Sequence, residues 1–200
     1  MKEIEFWFSI GSTYTYLSVT RLTEVSQQTG ASFSWKPFSV REIMREMDNI
    51  PFPPTKQAKV DYMWRDLERR AQSYGFKANV PAPYPLQEFD LANRVAVLAM
   101  KEGWCEDYVR VTYRLWFIDG HEAGSDVNLT RALSEIGQDK LRVLELAVSS
   151  DLESAYLNQT ECAKKAGIFG SPSFIVGGEL FWGDDRLEDA IAWARKDGKL

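Results

Sequence analysis

Apolar side chains occupy almost every position of the first strand-length segment: Ile4, Phe6, Trp7, Phe8 and Ile10 fill residues 4–10. That pattern predicts a strand buried on both faces of a sheet. Gly11 breaks the run, and Ser12 or Thr13 supplies a helix N-cap. Tyr16, Leu17, Val19 and Leu22 then recur at helical spacing until Gly30 closes the element. Residues 32–38 alternate, with Phe33, Trp35 and Pro37 on one side and Pro37 marking the end of a second strand. The opening fifth of the chain therefore predicts strand, helix, strand, the first half of an α/β unit.

From about Val40 the pattern turns helical. Residues 49–54 predict a rigid extended stretch, because three prolines within four residues do not enter a helix interior. Val60, Met63, Trp64, Leu67 and Ala71 predict an amphipathic helix ending at Gly75. A second Pro-rich loop at 80–85 precedes helices around 91–100, 105–118, 129–136, 141–148 and 151–166. So long a helical run is an insertion rather than a crossover. The tail predicts a short strand at Phe174-Ile175-Val176, a tight turn at Gly177-Gly178, a second strand from Glu179 to Trp182 and a closing helix from Asp184. The order is that of an α/β, thioredoxin-like core, residues 1–39 and 167–200, split by a helical insertion and connecting helix at 40–166.

With 200 residues and 44% hydrophobic content the chain can build one well-packed core. Its net charge of −5 gives no field that would attract a phosphate backbone, so nucleic acid is not an expected partner. No apolar run approaches the roughly 20 residues that span a bilayer. Glu3 and Glu5 in the first segment are unlike an export leader, and a soluble, cytoplasmic protein is expected. The two cysteines, Cys105 and Cys162, form neither a C-x-x-C pair nor a metal-ligand spacing, and both are expected to be small buried residues. His121, the single histidine, lies in the polar stretch Gly120-His121-Glu122 and is expected to be solvated. Catalysis through a Cys-His or Ser-His-Asp set would have to pass through it.

Three segments carry candidate chemistry. At Gly11-Ser12-Thr13 a buried strand delivers the chain to a helix N-terminus, where free N–H groups and the helix dipole favour an anion. Ser12 caps that helix or donates a hydrogen bond to a thiolate brought by another molecule. Gly170-Ser171-Pro172-Ser173-Phe174 opens directly into a strand, and a cis bond at Pro172 would turn the Ser171 main chain outward to pair with a peptide-like ligand. In Trp182-Gly183-Asp184-Asp185-Arg186, Asp184 is an adequate N-cap. Asp185 and Arg186 offer an acceptor pair and a guanidinium fork that suit an amino group and a carboxylate.

These blocks, IGSTYTYL, KVDYMWRDL and IFGSPSFIVGGELFWGDDRLE, resemble those of the 2-hydroxychromene-2-carboxylate isomerases and their relatives, the kappa-class glutathione transferases. The likeness runs over essentially the whole chain, and its last block is the most specific. It implies a core similar to that of DsbA, with serine in place of the catalytic cysteine and glutathione supplying the sulfur. By that resemblance Ser12 hydrogen-bonds the glutathione sulfur, Ser171 and Pro172 pair with its cysteinyl unit, and Asp185 and Arg186 hold its γ-glutamyl end. Asn49 and Lys59 fall where further ligand contacts lie, and Asp66 falls on a family acidic position. The resemblance also implies a cytoplasmic homodimer of aromatic catabolism. Its activity would be cis-trans isomerisation of an aromatic pyruvate or chromene through a transient glutathione adduct, with no metal ion. Tyr14, Phe52, Tyr84 and Trp182 are candidates for the substrate wall.

The chain departs from the family pattern twice. Thr13-Tyr14-Thr15-Tyr16 stands where the family has Pro-Phe/Tyr-Ser-Tyr, and Asp184 stands where it commonly has asparagine. Two other readings stay open: a kappa-like transferase or peroxidase, which shares every residue named, and a non-catalytic DsbA-like peptide-binding module that uses only the Ser171–Pro172 edge to dock a strand. A cysteine-based disulfide oxidoreductase is disfavoured by Ser12 and by the lack of a second cysteine beside it.

Overall fold

The computed structural model describes residues 1–49 and 56–195. Phe52 and the prolines at 51, 53 and 54 lie outside these, and with them most of the extended stretch expected at 49–54. Among the described residues four strands, β1 (Ile4–Phe8), β2 (Phe33–Pro37), β3 (Ser173–Val176) and β4 (Glu179–Trp182), form one sheet in the order β2-β1-β3-β4. β1 runs parallel to β2 and antiparallel to β3, and β3 and β4 form the hairpin. The register sets Phe6 opposite Trp35 on one side and Phe174 on the other. Their rings touch at 4.9 Å edge-on and 5.4 Å stacked. Cross-strand aromatic pairs of this kind fix register, and each fully buried ring adds about 1.5–3 kcal/mol.

The helices among the described residues are α1 (Thr13–Thr29), α2 (Val40–Glu46), α3 (Gln57–Ser73), α4 (Phe89–Glu102), α5 (Cys105–Phe117), α6 (Asp126–Glu135), α7 (Lys140–Ala147), α8 (Ser150–Lys165) and α9 (Leu187–Arg195). α9 lies against β1, β3 and β4, whereas α4 and α8 lie against β2. Helices of the long central run therefore cover the sheet. α1 ends at Gly30 in the left-handed conformation, as its glycine predicts. α2 has no counterpart among the helices the sequence delimits. It is short and buries only Val40 and Ile43, so its periodicity is weak, and the Ser39 hydroxyl caps it by accepting from the Glu42 N–H.

One cysteine expectation is corrected. Cys105 is buried, but Cys162 is exposed. On α8 the inward stripe is taken by Leu152, Tyr156, Thr160 and Ala163, which leaves Cys162 facing solvent. His121 is half-buried between α5 and α6, its N–H on the Leu115 carbonyl. Among the described residues no helix is long and apolar enough to cross a membrane.

Candidate functional site

The strand-to-helix turn after β1 is held open by its packing. Gly11 adopts φ +113°, and a Cβ there would sit 2.6 Å from the Phe89 ring, so the position requires glycine on both counts. Asn93 of α4 clamps the next residue back: its Oδ1 accepts from the Ile10 N–H and its Nδ2 donates to the Ile10 carbonyl, both at 2.8 Å. Ser12 then takes the N-cap position of α1 with an extended backbone, but its side chain makes no capping bond. The hydroxyl instead donates to the Ser171 carbonyl at 2.6 Å. The first turn of α1 thus receives no cap from the Ser12 side chain.

Ser171–Pro172 is a cis peptide. Its Ser171 carbonyl turns toward Ser12, while the Ser171 hydroxyl accepts from the Ser9 N–H at 2.9 Å and shares a hydrogen bond with the Thr15 hydroxyl at 2.8 Å. Tyr113, fully buried on α5, sends its hydroxyl to the carbonyls of Ser12 (3.0 Å) and Ser9 (3.2 Å). Burial pushes that phenol far above its ordinary range, so it stays a neutral donor.

The loop continues into the third segment, because the Pro172 carbonyl accepts from the Gly183 N–H at 3.0 Å. Gly183, and not Asp184, stands at the N-cap of the 3-10 turn Asp184–Arg186. The cap expected from Asp184 is corrected: its carboxylate is buried and pairs with Arg70 at 2.8 Å, with the Tyr74 hydroxyl donating at 3.3 Å. Burial pushes the Asp184 carboxyl up to about 6, opposed chiefly by the Arg70 charge and reinforced by the charge of Asp185. Arg21 lies over the Tyr74 ring, its guanidinium 3.9 Å from the ring centroid. Asp185 and Arg186 are both exposed and pair with each other at 2.9 Å, and Arg186 also reaches Asp189 at 2.7 Å. Exposed pairs of this kind contribute little and exchange partners readily.

α3 runs beside the start of α1. The Thr13 hydroxyl donates to the Met63 sulfur at 3.2 Å, and Tyr14 donates to Asp66 at 2.9 Å. Lys59 lies four residues before Met63 on the same helix and so one turn along the same face. Asn49 is exposed just past α2, its N–H on the Met44 carbonyl. Of the wall candidates, Trp182 lies over Gly170, where a Cβ would come within 2.2 Å of its Nε1, and stacks edge-on with Phe169 at 4.8 Å. Tyr84 packs edge-on against Trp64 at 5.9 Å.

The structure thus joins Ser12, Ser171, Pro172, Asp185 and Arg186 in one hydrogen-bonded chain, with Lys59 and Asp66 on the helix alongside. Thr15, Asn93, Tyr113, Arg70 and Tyr74 were not legible as site residues. Asn93 and Tyr113 fall on the buried faces of α4 and α5 and read as core. A cavity of about 590 Å³ lined by Tyr16, Val19, Phe76, Arg110, Val111 and Ile136 among others contains none of the site residues, which are defined by bonding geometry instead. Among the described residues no group of three or more His, Cys, Asp or Glu is placed to hold a metal ion.

Similar proteins have this arrangement of elements. A 2-hydroxychromene-2-carboxylate isomerase of Sphingobium xenophagum is 27% identical over 190 residues, covering 94% of this chain and 95% of that protein. The structure of a 2-hydroxychromene-2-carboxylate isomerase superposes with a TM-score of 0.83 at 25% identity, over 95% of this chain and 94% of the other. The cytosolic disulfide reductase DsbM of Pseudomonas aeruginosa shares the fold, with a TM-score of 0.64 at 15% identity and 96% of each chain covered. The DSBA-like thioredoxin domain model matches residues 3–191, nearly the whole length, and the chain belongs to that family.

Proposed function

We propose that this chain is a glutathione-dependent isomerase of the 2-hydroxychromene-2-carboxylate type, interconverting the geometric isomers of an aromatic pyruvate or chromene. The full-length likeness to relatives of that name supports an isomerase. The observation that carries the glutathione dependence is the Ser12 hydroxyl, set at the uncapped N-terminus of α1 and 2.6 Å from the carbonyl of the cis Ser171–Pro172 bond.

The residues present fit a γ-glutamyl tripeptide. Ser12 would hold the sulfur, the Ser171 main chain the cysteinyl unit, Asp185 and Arg186 the amino and carboxylate groups of the γ-glutamyl end, and Asn49 and Lys59 further contacts. When bound, glutathione supplies a thiolate able to add reversibly to an electron-poor carbon, so that a double bond becomes free to rotate.

Ser12 must turn its hydroxyl away from the Ser171 carbonyl to donate toward that thiolate. A charge-assisted bond of this kind is worth roughly 1.5–3 kcal/mol, against about 1 for the neutral bond it replaces. The turn frees the Ser171 carbonyl at the same moment to accept an N–H from a peptide-like ligand, so sulfur and main chain would be recognised together. The first-turn amides of α1 add their positive end at the same point. Asp185 and Arg186 open their mutual pair to bind the two ends of an amino acid, which costs little because both are exposed.

Calorimetric titration with glutathione tests the binding step, and saturation at millimolar concentration or below is expected. An assay that follows isomerisation and total glutathione together tests the reaction. Turnover with undiminished glutathione supports the isomerase; consumption would mark a transferase or peroxidase, and binding no tighter than that of an unrelated tripeptide would mark a peptide-binding module.

A further inference from the structure

Thr15 stands three residues after Ser12, the spacing at which a C-x-x-C pair sets its second sulfur. It is fully buried in the first turn of α1. Thr20, Thr130 and Thr160 satisfy their hydroxyls on their own previous turn, on the carbonyls of Tyr16, Asp126 and Tyr156, whereas Thr13 and Thr23 of α1 reach side chains of other helices, Met63 and Glu106. The Thr15 hydroxyl crosses to the Ser171 hydroxyl at 2.8 Å, with the Tyr113 phenol beside it.

Ser171 is thereby clamped by three hydrogen bonds at two of its atoms: its Oγ by the Ser9 N–H and by Thr15, and its carbonyl by Ser12. The strand end, the first turn of α1 and the cis-proline loop meet in this one residue. A change at Thr15 releases one of the two bonds that orient the Ser171 side chain, and the carbonyl holding Ser12 shifts with it.

We propose that Thr15 is a positioning residue: with the Ser171 hydroxyl it locks the cis-proline loop against α1, and through that loop it fixes where the Ser171 carbonyl stands beside the side chain at position 12. The assignment rests on the reading of Ser12 as the group that faces the thiolate. It makes S-x-x-T a working pair in which the first hydroxyl addresses the ligand and the second sets the loop whose carbonyl stands beside the first.

The test needs no glutathione. In Ser12→Cys the introduced thiol reports the polarity of the site, and its acid dissociation is followed by thiolate absorbance against pH. Adding Thr15→Val, which keeps shape and removes the hydroxyl, is expected to change that dissociation constant by about tenfold, the equivalent of one hydrogen bond, while Thr15→Ser leaves it within about twofold. A threonine that only fills the core would move thermal stability and not the titration. In the Ser12 background the same substitutions are expected to lower kcat about tenfold for Thr15→Val, with KM for the aromatic substrate held and Thr15→Ser restoring turnover.

If Thr15→Val does not fold, Thr15→Ala removes the same hydroxyl with a smaller side chain and is read in the same way. Identical titration of the introduced thiol with and without the hydroxyl at 15, in folded proteins, overturns the proposal. Failure of glutathione to bind overturns the proposed function instead, and leaves the thiol titration to decide on Thr15.

Discussion

Ser12 illustrates how one hydroxyl is diverted from a structural to a chemical use. Serine at an N-cap ordinarily accepts from its own helix, and losing that bond costs about 1 kcal/mol. Here the side chain ignores the helix and donates to Ser171. Ser12→Ala is therefore expected to change stability by less than about 1 kcal/mol in urea unfolding, while lowering turnover roughly 30- to 150-fold through about 2–3 kcal/mol of lost thiolate stabilisation. An unimpaired variant would remove Ser12 from the chemistry. The position of Ser12 was legible, because a buried strand, a glycine and a helix start follow one another within residues 4–13. Its partner was not, since Ser171 lies 159 residues away and nothing local records which way a hydroxyl turns. For the same reason Asp184, which reads as a cap, proves to be a buried carboxylate bound to Arg70.

Between elements, buried polar groups do the aligning. α4 holds the β1–α1 turn through Asn93, which satisfies both main-chain groups of Ile10 and also bonds the Phe89 carbonyl. Asn93→Leu leaves a buried N–H and a buried carbonyl unpaired. A loss of about 2–4 kcal/mol is expected, measured by chemical denaturation, with activity falling further than the folded fraction because the turn carries Ser12. The 3-10 turn is tied to α3 by Asp184 and Arg70, and this link titrates. In the folded chain the Asp184 carboxyl holds its proton up to about 6, against 3.8 ordinarily. The folded state thus binds the extra proton between those values, and the contribution of Asp184 to stability falls as pH rises through that window. Asp184→Asn is expected to remove this slope, so that the difference in unfolding free energy between wild type and variant changes by on the order of 2 kcal/mol from about pH 4 to above about pH 6. Parallel curves for the two proteins would show that the Arg70 charge cancels the cost of burial. α2 shows the opposite limit of legibility, since two buried apolar residues are too few to mark a helix.

For the whole molecule, ligand binding and folding are linked. If glutathione binds the folded chain alone, a concentration about a hundredfold above its dissociation constant adds roughly 2.7 kcal/mol and raises the unfolding midpoint by about 5–10 °C in a chain of this size. Differential scanning measures this, and an unmoved midpoint would contradict a built glutathione site. The sequence by itself determined the succession of strands and helices along the chain apart from α2, the hairpin at Gly177-Gly178 and the helix break at Gly30, because each depends on neighbours a few residues apart: hydrophobic period, caps and turn glycines. It also placed Ser12, Ser171 and Arg186 as candidates by local chemistry. Only the tertiary structure decided that Ser12 faces the cis-proline carbonyl, that Thr15 and Tyr113 stand behind it, and that Asp184 is buried while Cys162 is not. Those outcomes depend on which distant segments the sheet brings together. Buried hydroxyls and carboxylates take whatever partner that packing supplies, a choice no local pattern encodes.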